Sequence, residues 1–300
     1  FRCIESSYLS RSSVDSMLKQ RIITALALLA VLLPALFADS PQPFLLLSIL
    51  MIGAGAWEWG NMNGMSSRQS ILSGVICVDL CIFAWWAGWT TSTDAWVWWM
   101  AGASWVGLTA WMLQRGVQGW ALWHRDLRWL LGLFMLWLAW LAMAQARTAS
   151  VQLLLSIFCV VWAADVFAYF CGKAFGGRII HRKLAPTVSP GKSWEGAIGG
   201  MLGVFLLAWV WMQLEQTYQW PGQSLFTQMM SHGIFLWTLS LVFLTTMSVV
   251  GDLVESLVKR SAGVKDSSNL LPGHGGVLDR LDALLPALPI AMMLLHWPQV

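Results

Sequence analysis

Apolar residues run through the chain in blocks near 22–38, 44–57, 70–89, 95–112, 127–144, 151–170, 197–213, 234–251 and 282–297, separated by polar or turn-rich breaks. A helix rises 1.5 Å per residue, so about 20 such residues cross about 30 Å of hydrocarbon. The pattern predicts an all-α fold: a polytopic integral membrane protein of about nine transmembrane helices, the second and last blocks being the shortest. Two long polar segments interrupt it, 171–196 and 252–281, whereas the polar loop 214–233 holds no Lys or Arg and includes a Trp220-Pro221 turn expected at the interface. Internal repeats, heptads and linkers are lacking, so 17–300 reads as a single transmembrane domain. Residues 1–16, "FRCIESSYLSRSSVDS", are polar and precede Met17-Leu18-Lys19-Gln20-Arg21; they are set aside as a non-native or disordered extension. Ile22 to Ala38 resembles a signal-peptide core, but no small-x-small cleavage pattern leads into a soluble domain, which makes it the first anchor.

Composition agrees: 57% of residues are hydrophobic, 11% are charged, and 22 are Trp, more than a soluble domain needs for its core. A net charge of +3 is too small to imply a nucleic-acid partner, and the placement of the cations matters more. With the N-terminus cytoplasmic and nine crossings, every one of the 18 Lys and Arg except Arg147 falls on the cytoplasmic side. Dropping a middle span destroys that asymmetry. Segments 171–196 and 252–281 therefore share the cytoplasmic face. Five cysteines (Cys3, Cys77, Cys81, Cys159, Cys171) form no CxxC pair, so neither a zinc cage nor a disulfide framework is indicated.

Carboxylates at membrane depth are costly and mark functional candidates. Glu58, in "AWEWGNM", reads either as an interfacial residue between anchoring tryptophans or as a site group, and Asp79, mid-span, reads either way as well. Asp165 and Tyr169 lie one turn apart on a helix that enters the basic loop, with Gly172-Lys173 one turn further on. That loop ends in Ser189-Pro-Gly-Lys-Ser193, expected to be a turn that offers free N–H groups to an anion at a helix start. It is not a Walker A loop. In "SVVGDLVESLVKRSAGVKDSSNLLPGHGGVLDRLDALLP", Asp252, Glu255, Ser256 and Lys259 share one helix face, and Asp279 and Asp282 follow a Gly-rich turn. Short carboxylates ringed by cations suit a divalent ion that also holds phosphate oxygens.

Ser256, Lys259-Arg260, Lys265-Asp266, Leu271-Pro-Gly-His-Gly-Gly276 and Asp279-Arg-Leu-Asp282 resemble the C-terminal signature of phosphatidate cytidylyltransferases, and Ser189 to Gly196, "SPGKSWEG", resembles that family's upstream motif. Lys192 follows Gly191, where that family often carries another Lys or Arg. The resemblance implies transfer from CTP to phosphatidic acid, with Mg2+ required and a second, monovalent cation left open. It implies Asp252 and Asp279 as metal carboxylates, with Asp282 as an outer partner and Asp165 as an extension. Lys259, Arg260 and Arg280 would bind phosphates, Arg280 bidentately, with Lys259 and Arg280 counted beside the two aspartates as catalytic. Ser189, Lys192, Ser193, Glu195, Ser256, Lys265, His274, Gly275 and Gly276 would contact substrate, the glycines by letting backbone approach a phosphate. Trp194 would anchor the upstream loop. The expected setting is the bacterial inner membrane, in a bilayer with a cytoplasmic active site, no nucleic-acid partner, and a homodimer left open.

Two other classes share part of this pattern. The CDP-alcohol phosphotransferases carry an Asp-Gly-x-x-Ala-Arg motif that this chain lacks. An ion-coupled transporter would use Asp79 and Asp165 as relay groups, with inverted repeats and a midplane site.

Overall fold

The computed structural model describes residues 2–297, with side chains from Lys19 onward. In chain order the elements are α1 (Arg2–Phe37), α2 (Gln42–Met62), α3 (Ser67–Trp86), α4 (Ala95–Ala121), α5 (Arg125–Ala149), α6 (Val151–Phe175), β1 (Lys183–Ala185), β2 (Ser189–Ser193), α7 (Trp194–Tyr218), α8 (Leu225–Ser231), α9 (Ile234–Ser261), α10 (Leu278–Leu281) and α11 (Leu284–Leu295). The protein is an all-α polytopic membrane protein. Among the described residues, seven segments, in α1, α2, α3, α5, α6, α7 and α9, are long and apolar enough to cross a membrane. The two other expected spans fall short for different reasons. α4 is 27 residues long, but Gly, Ser, Gln and many Trp dilute its hydropathy, and it kinks at Gly116. α11 has 12 residues, about 18 Å, which is less than the hydrocarbon thickness. The side chains of residues 1–18 lie outside the described residues, and with them the expectation that 1–16 stand apart.

Contacts at the helix ends show how the chain alternates. At one end, Trp59 of α2 donates to the carbonyl of Trp129 in α5 (3.1 Å) and packs on Trp120 at the end of α4. At the other, Gln145 of α5 donates to Trp89 O (2.6 Å) and Thr93 Oγ1 (3.1 Å), between α3 and α4. α4 thus runs the length of the bundle despite its diluted hydropathy. α11 ends where Trp297 meets Trp99 of α4, with ring centroids 5.2 Å apart. Arg147, a cation at the far end, is 5% exposed. Its guanidinium donates to the carbonyls of Leu36 (2.9 Å), Ala38 (2.6 Å) and Ser40, so it ties the end of α1 to α5.

The core centres on α5, α9 and α11, whereas Ile23, Leu26, Leu50, Leu72, Phe83 and Leu202 keep their side chains outward, as a surface bathed in lipid requires. Helices in lipid gain little from the hydrophobic effect and approach through small residues. α7 does this with Gly196, Gly199, Gly200 and Gly203: a Cβ on Gly200 would come 2.7 Å from the carbonyl of Ala164 in α6.

One local expectation changes. Ser189–Ser193 is not a free turn but the second strand of a hairpin, antiparallel to β1 with Lys183 opposite Ser193 and Ala185 opposite Ser189. Pro190 is compatible because the strand is an edge. Val188, 6% exposed, pins the hairpin to a small apolar cluster that contains Trp120 and Val258.

Candidate active site

The site begins where α9 meets α10 and α11. A Cβ on Gly251 would lie 2.7 Å from Asp282 O and 2.7 Å from Pro286 Cγ, so the glycine permits the close approach of these helices. The approach gathers Asp252, Glu255 and Asp282, each with a carboxylate oxygen within 4.8 Å of the others. Glu255 Oε1 is buried with no hydrogen-bond partner. Three hard oxygen donors, one of them orphaned, fit a small divalent cation.

Asp279 is placed differently from the expectation that it pairs with Asp252 around a metal. Its Oδ1 accepts from Lys259 Nζ (2.7 Å). Its Oδ2 accepts from Ser267 N (2.9 Å), Ser267 Oγ (3.0 Å) and Gly276 N (2.8 Å). Lys259 also reaches Glu255 Oε2 at 2.5 Å, so one ammonium bridges the three-carboxylate group and Asp279. Burial raises the cost of ionising Asp279, but the hydrogen bonds from Lys259, Gly276 and Ser267 outweigh it and hold the carboxyl down to about 2.

The Gly-rich turn is built from inside. Leu271 N donates to Gly275 O (2.9 Å) and His274 N to Leu271 O (2.8 Å). Gly273 and Gly275 hold φ of +75° and +80°, which L-residues with a Cβ rarely adopt. The glycines were expected to admit a phosphate, yet the space beside them is taken by the protein's own groups, Asp279 at Gly275 and the Ser267 hydroxyl and Glu58 at Gly276. A Cβ would lie 2.8 Å from Asp279 Oδ2 at Gly275 and 2.5 Å from Glu58 Oε1 at Gly276. Glu58 is fully buried. Its oxygens accept from Ser268 Oγ (2.5 Å), Val277 N (2.9 Å), Ser267 Oγ (3.1 Å) and Leu278 N (2.8 Å). α1 covers the outer side: Thr24 Oγ1 donates to Pro272 O at 3.0 Å, and Arg21 lies against Gly273.

The upstream segment arrives from the other side. Lys192 Nζ meets Asp252 Oδ2 at 2.5 Å and donates to Val249 O at 3.3 Å. Beside this pair is a cavity of about 500 Å³ lined by Asp165, Tyr169, Lys173, Lys192, Ser193 and Asp252, among others. It is large enough for a nucleotide or a lipid headgroup. Segments 171–196 and 252–282, distant in sequence, therefore share one polar mouth.

The other predicted residues divide into those the fold already engages and those left open. Glu195 was expected to touch substrate, but its Oε1 accepts from the N–H groups of Gly177 (3.0 Å), Ile179 (3.1 Å) and Ile180 (2.8 Å), which shapes the loop after α6. Ser193 Oγ caps α7 by accepting from Gly196 N. Arg280 directs its Nε (3.1 Å) and Nη2 (2.7 Å) to His274 O, which occupies one of the two edges a guanidinium offers for a bidentate contact. Arg260, Lys265 and Trp194 are exposed, Ser189 and Ser256 are half-buried, and His274 Nδ1 is buried without a partner. Asp79 is exposed on α3, outside this group. Sequence reasoning left Glu58 undecided and gave Glu255 no metal role. Glu255 was within reach, because it shares a helix face with Asp252 and Lys259. Nothing local to Glu58 reveals partners 209 to 220 residues away.

A family model described as "Cytidylyltransferase family" matches residues 19–297. The chain belongs to the cytidylyltransferase family. Its members transfer nucleotides, so the chain is a nucleotidyltransferase. Two bacterial members named phosphatidate cytidylyltransferase are similar over nearly their whole length. The one from Pseudomonas aeruginosa is 38% identical over 284 residues, covering 93% of this chain and 97% of its own length. The one from Haemophilus influenzae is 35% identical over 291 residues, covering 91% and 96%. A chloroplastic member from Arabidopsis thaliana, phosphatidate cytidylyltransferase 5, is 40% identical over 152 residues, half of this chain and 33% of its own.

Proposed function

We propose that the chain transfers the cytidylyl group of CTP to phosphatidic acid, forming CDP-diacylglycerol and pyrophosphate. The observation that carries this reading is the Lys192–Asp252 contact, which joins two cation-rich segments at one mouth beside the carboxylate group. A phosphate oxygen of the lipid attacks the α-phosphorus, a P–O bond forms, and the bond to the bridging oxygen breaks with its electron pair leaving on pyrophosphate. A phosphomonoester is already largely dianionic at neutral pH. A strong general base is therefore unnecessary, and the work of the protein is positioning and charge neutralisation.

Mg2+ suits the donor set, and Asp252, Glu255 and Asp282 would hold it, with charge neutralisation on the triphosphate as its contribution. Lys259 is a cation already seated among carboxylates; turning toward a phosphate, it would release Asp279 Oδ1 to face the same group. Lys192, half-buried beside the cavity, reaches an entering phosphate by leaving Asp252. Arg260 and Lys265 are exposed cations on the approach. The cation-rich end faces the cytosol, which brings CTP to the mouth from water while the lipid enters from the leaflet. In a bacterium the membrane would be the inner one, with α4 and the α10–α11 segment completing nine passages.

Purified protein in detergent, given phosphatidic acid, CTP and Mg2+, is expected to release one pyrophosphate per CDP-diacylglycerol formed, and none when the lipid is withheld. Folded protein that releases none with all three present contradicts the reading.

A further inference from the structure

Glu58 is unlike the other acidic groups near the mouth. It comes from α2, far away in sequence, and is fully buried. Both of its oxygens are engaged by four donors of the segment between Ser267 and Leu278. A buried carboxylate is tolerated only when such bonds replace its water. An apolar side chain in the same space would leave the N–H groups of Val277 and Leu278 buried without an acceptor, so the carboxylate is there for its hydrogen bonds and not for packing alone.

What the carboxylate provides is orientation. Its bonds to Val277 N and Leu278 N fix the start of α10, one residue before Asp279. Ser267 Oγ lies 3.1 Å from Glu58 Oε2 and 3.0 Å from Asp279 Oδ2. A hydroxyl has one proton, so it serves one carboxylate at a time. The two acids are thereby coupled through Ser267, and Gly276 lacks a Cβ where Glu58 passes and donates its N–H to Asp279. Asp279 in turn holds Lys259 against Glu255.

We propose that Glu58 is a positioning residue for the transfer reaction: from inside the bundle it sets the segment Ser267–Leu278, and through Ser267 and Gly276 it orients Asp279 and Lys259. This rests on the cytidylyltransferase reading above. The test uses the full chain in detergent. Glu58→Gln keeps the shape but turns an amide NH2 toward two of the four donors. It is expected to lower kcat by about 10-fold or more and to raise the Mg2+ concentration for half-maximal rate by about threefold, with KM for CTP changed less than about twofold. Amide exchange over 267–281, read without substrate, is expected to quicken about 10-fold while β1 and β2 are unchanged. Ser268→Ala removes one bond to Glu58 and none to Asp279, and its effect should be smaller on every readout.

A Glu58→Gln protein with unchanged exchange in 267–281 and an unchanged Mg2+ midpoint overturns the proposal, whatever its turnover. Should Glu58→Gln fail to fold, Ser267→Ala carries the same expectations and the same overturning result. Wild-type protein without turnover counts against the reaction alone, because the exchange comparison needs no substrate.

Discussion

Lys259 is the residue on which the site's charge balance turns. It neutralises Glu255 and Asp279 together, at 2.5 and 2.7 Å. A single ammonium thus occupies the space between a group suited to a cation and a carboxylate wired into the Gly-rich turn. Asp279 is held down to about 2 by its donors despite burial, against an ordinary value of 3.8. A depressed carboxyl stabilises the fold fully above its unfolded pKa of about 4, and that stability is lost as pH falls through the folded value. Comparing the thermal stability of the wild type with Asp279→Asn should therefore show a constant deficit from neutral pH down to about 4 that closes toward pH 2. A deficit that closes between pH 7 and 5 would contradict the assignment of those bonds. The pattern of acids on α9 made Asp252 and Lys259 legible, because helical spacing alone sets them on one face. Glu58 was not legible. Its flanking tryptophans suggest a residue at the interface, and the donors that bury it belong to a segment more than two hundred positions away.

At the scale of elements, the site depends on how closely helices approach. Gly251 lets α9 lie against Asp282 and Pro286, and the carboxylate group exists because of that contact. Gly251→Ala would place a methyl 2.7 Å from Asp282 O, and backbone on the other side gives way less readily than a flexible side chain. The expected result is a protein that still assembles in detergent, with Mg2+ activation weakened by about 10-fold. Unchanged Mg2+ dependence would show that the approach does not matter. The helices could be read from their apolar blocks, yet the glycine contacts between them could not, since composition does not say which helices are neighbours. The hairpin was missed for a similar reason: Ser-Pro-Gly-Lys-Ser has the residues of a turn, and pairing with Lys183–Ala185 together with the burial of Val188 decides otherwise.

For the whole molecule, one end is rich in cations and the other holds Arg147, already bonded to backbone carbonyls. The charge asymmetry, visible along the chain, anticipated that 171–196 and 252–281 lie on one face, and the Lys192–Asp252 contact puts them within reach of one another. Hydropathy was a poorer guide to the ninth block, because α11 is short and Asp282 and Ala283, though helical in their backbone angles, interrupt the hydrogen-bonded helix between α10 and α11. An enzyme that joins a water-soluble nucleotide to a lipid needs its reactive groups at the boundary of the two phases, and the proposed reaction would set the Lys192–Asp252 mouth there. Labelling the α-phosphorus of CTP tests that account most directly. With phosphatidic acid and Mg2+, the label is predicted to move into a lipid that partitions with organic solvent. Label that stays wholly in water-soluble products, with the protein folded, would contradict it.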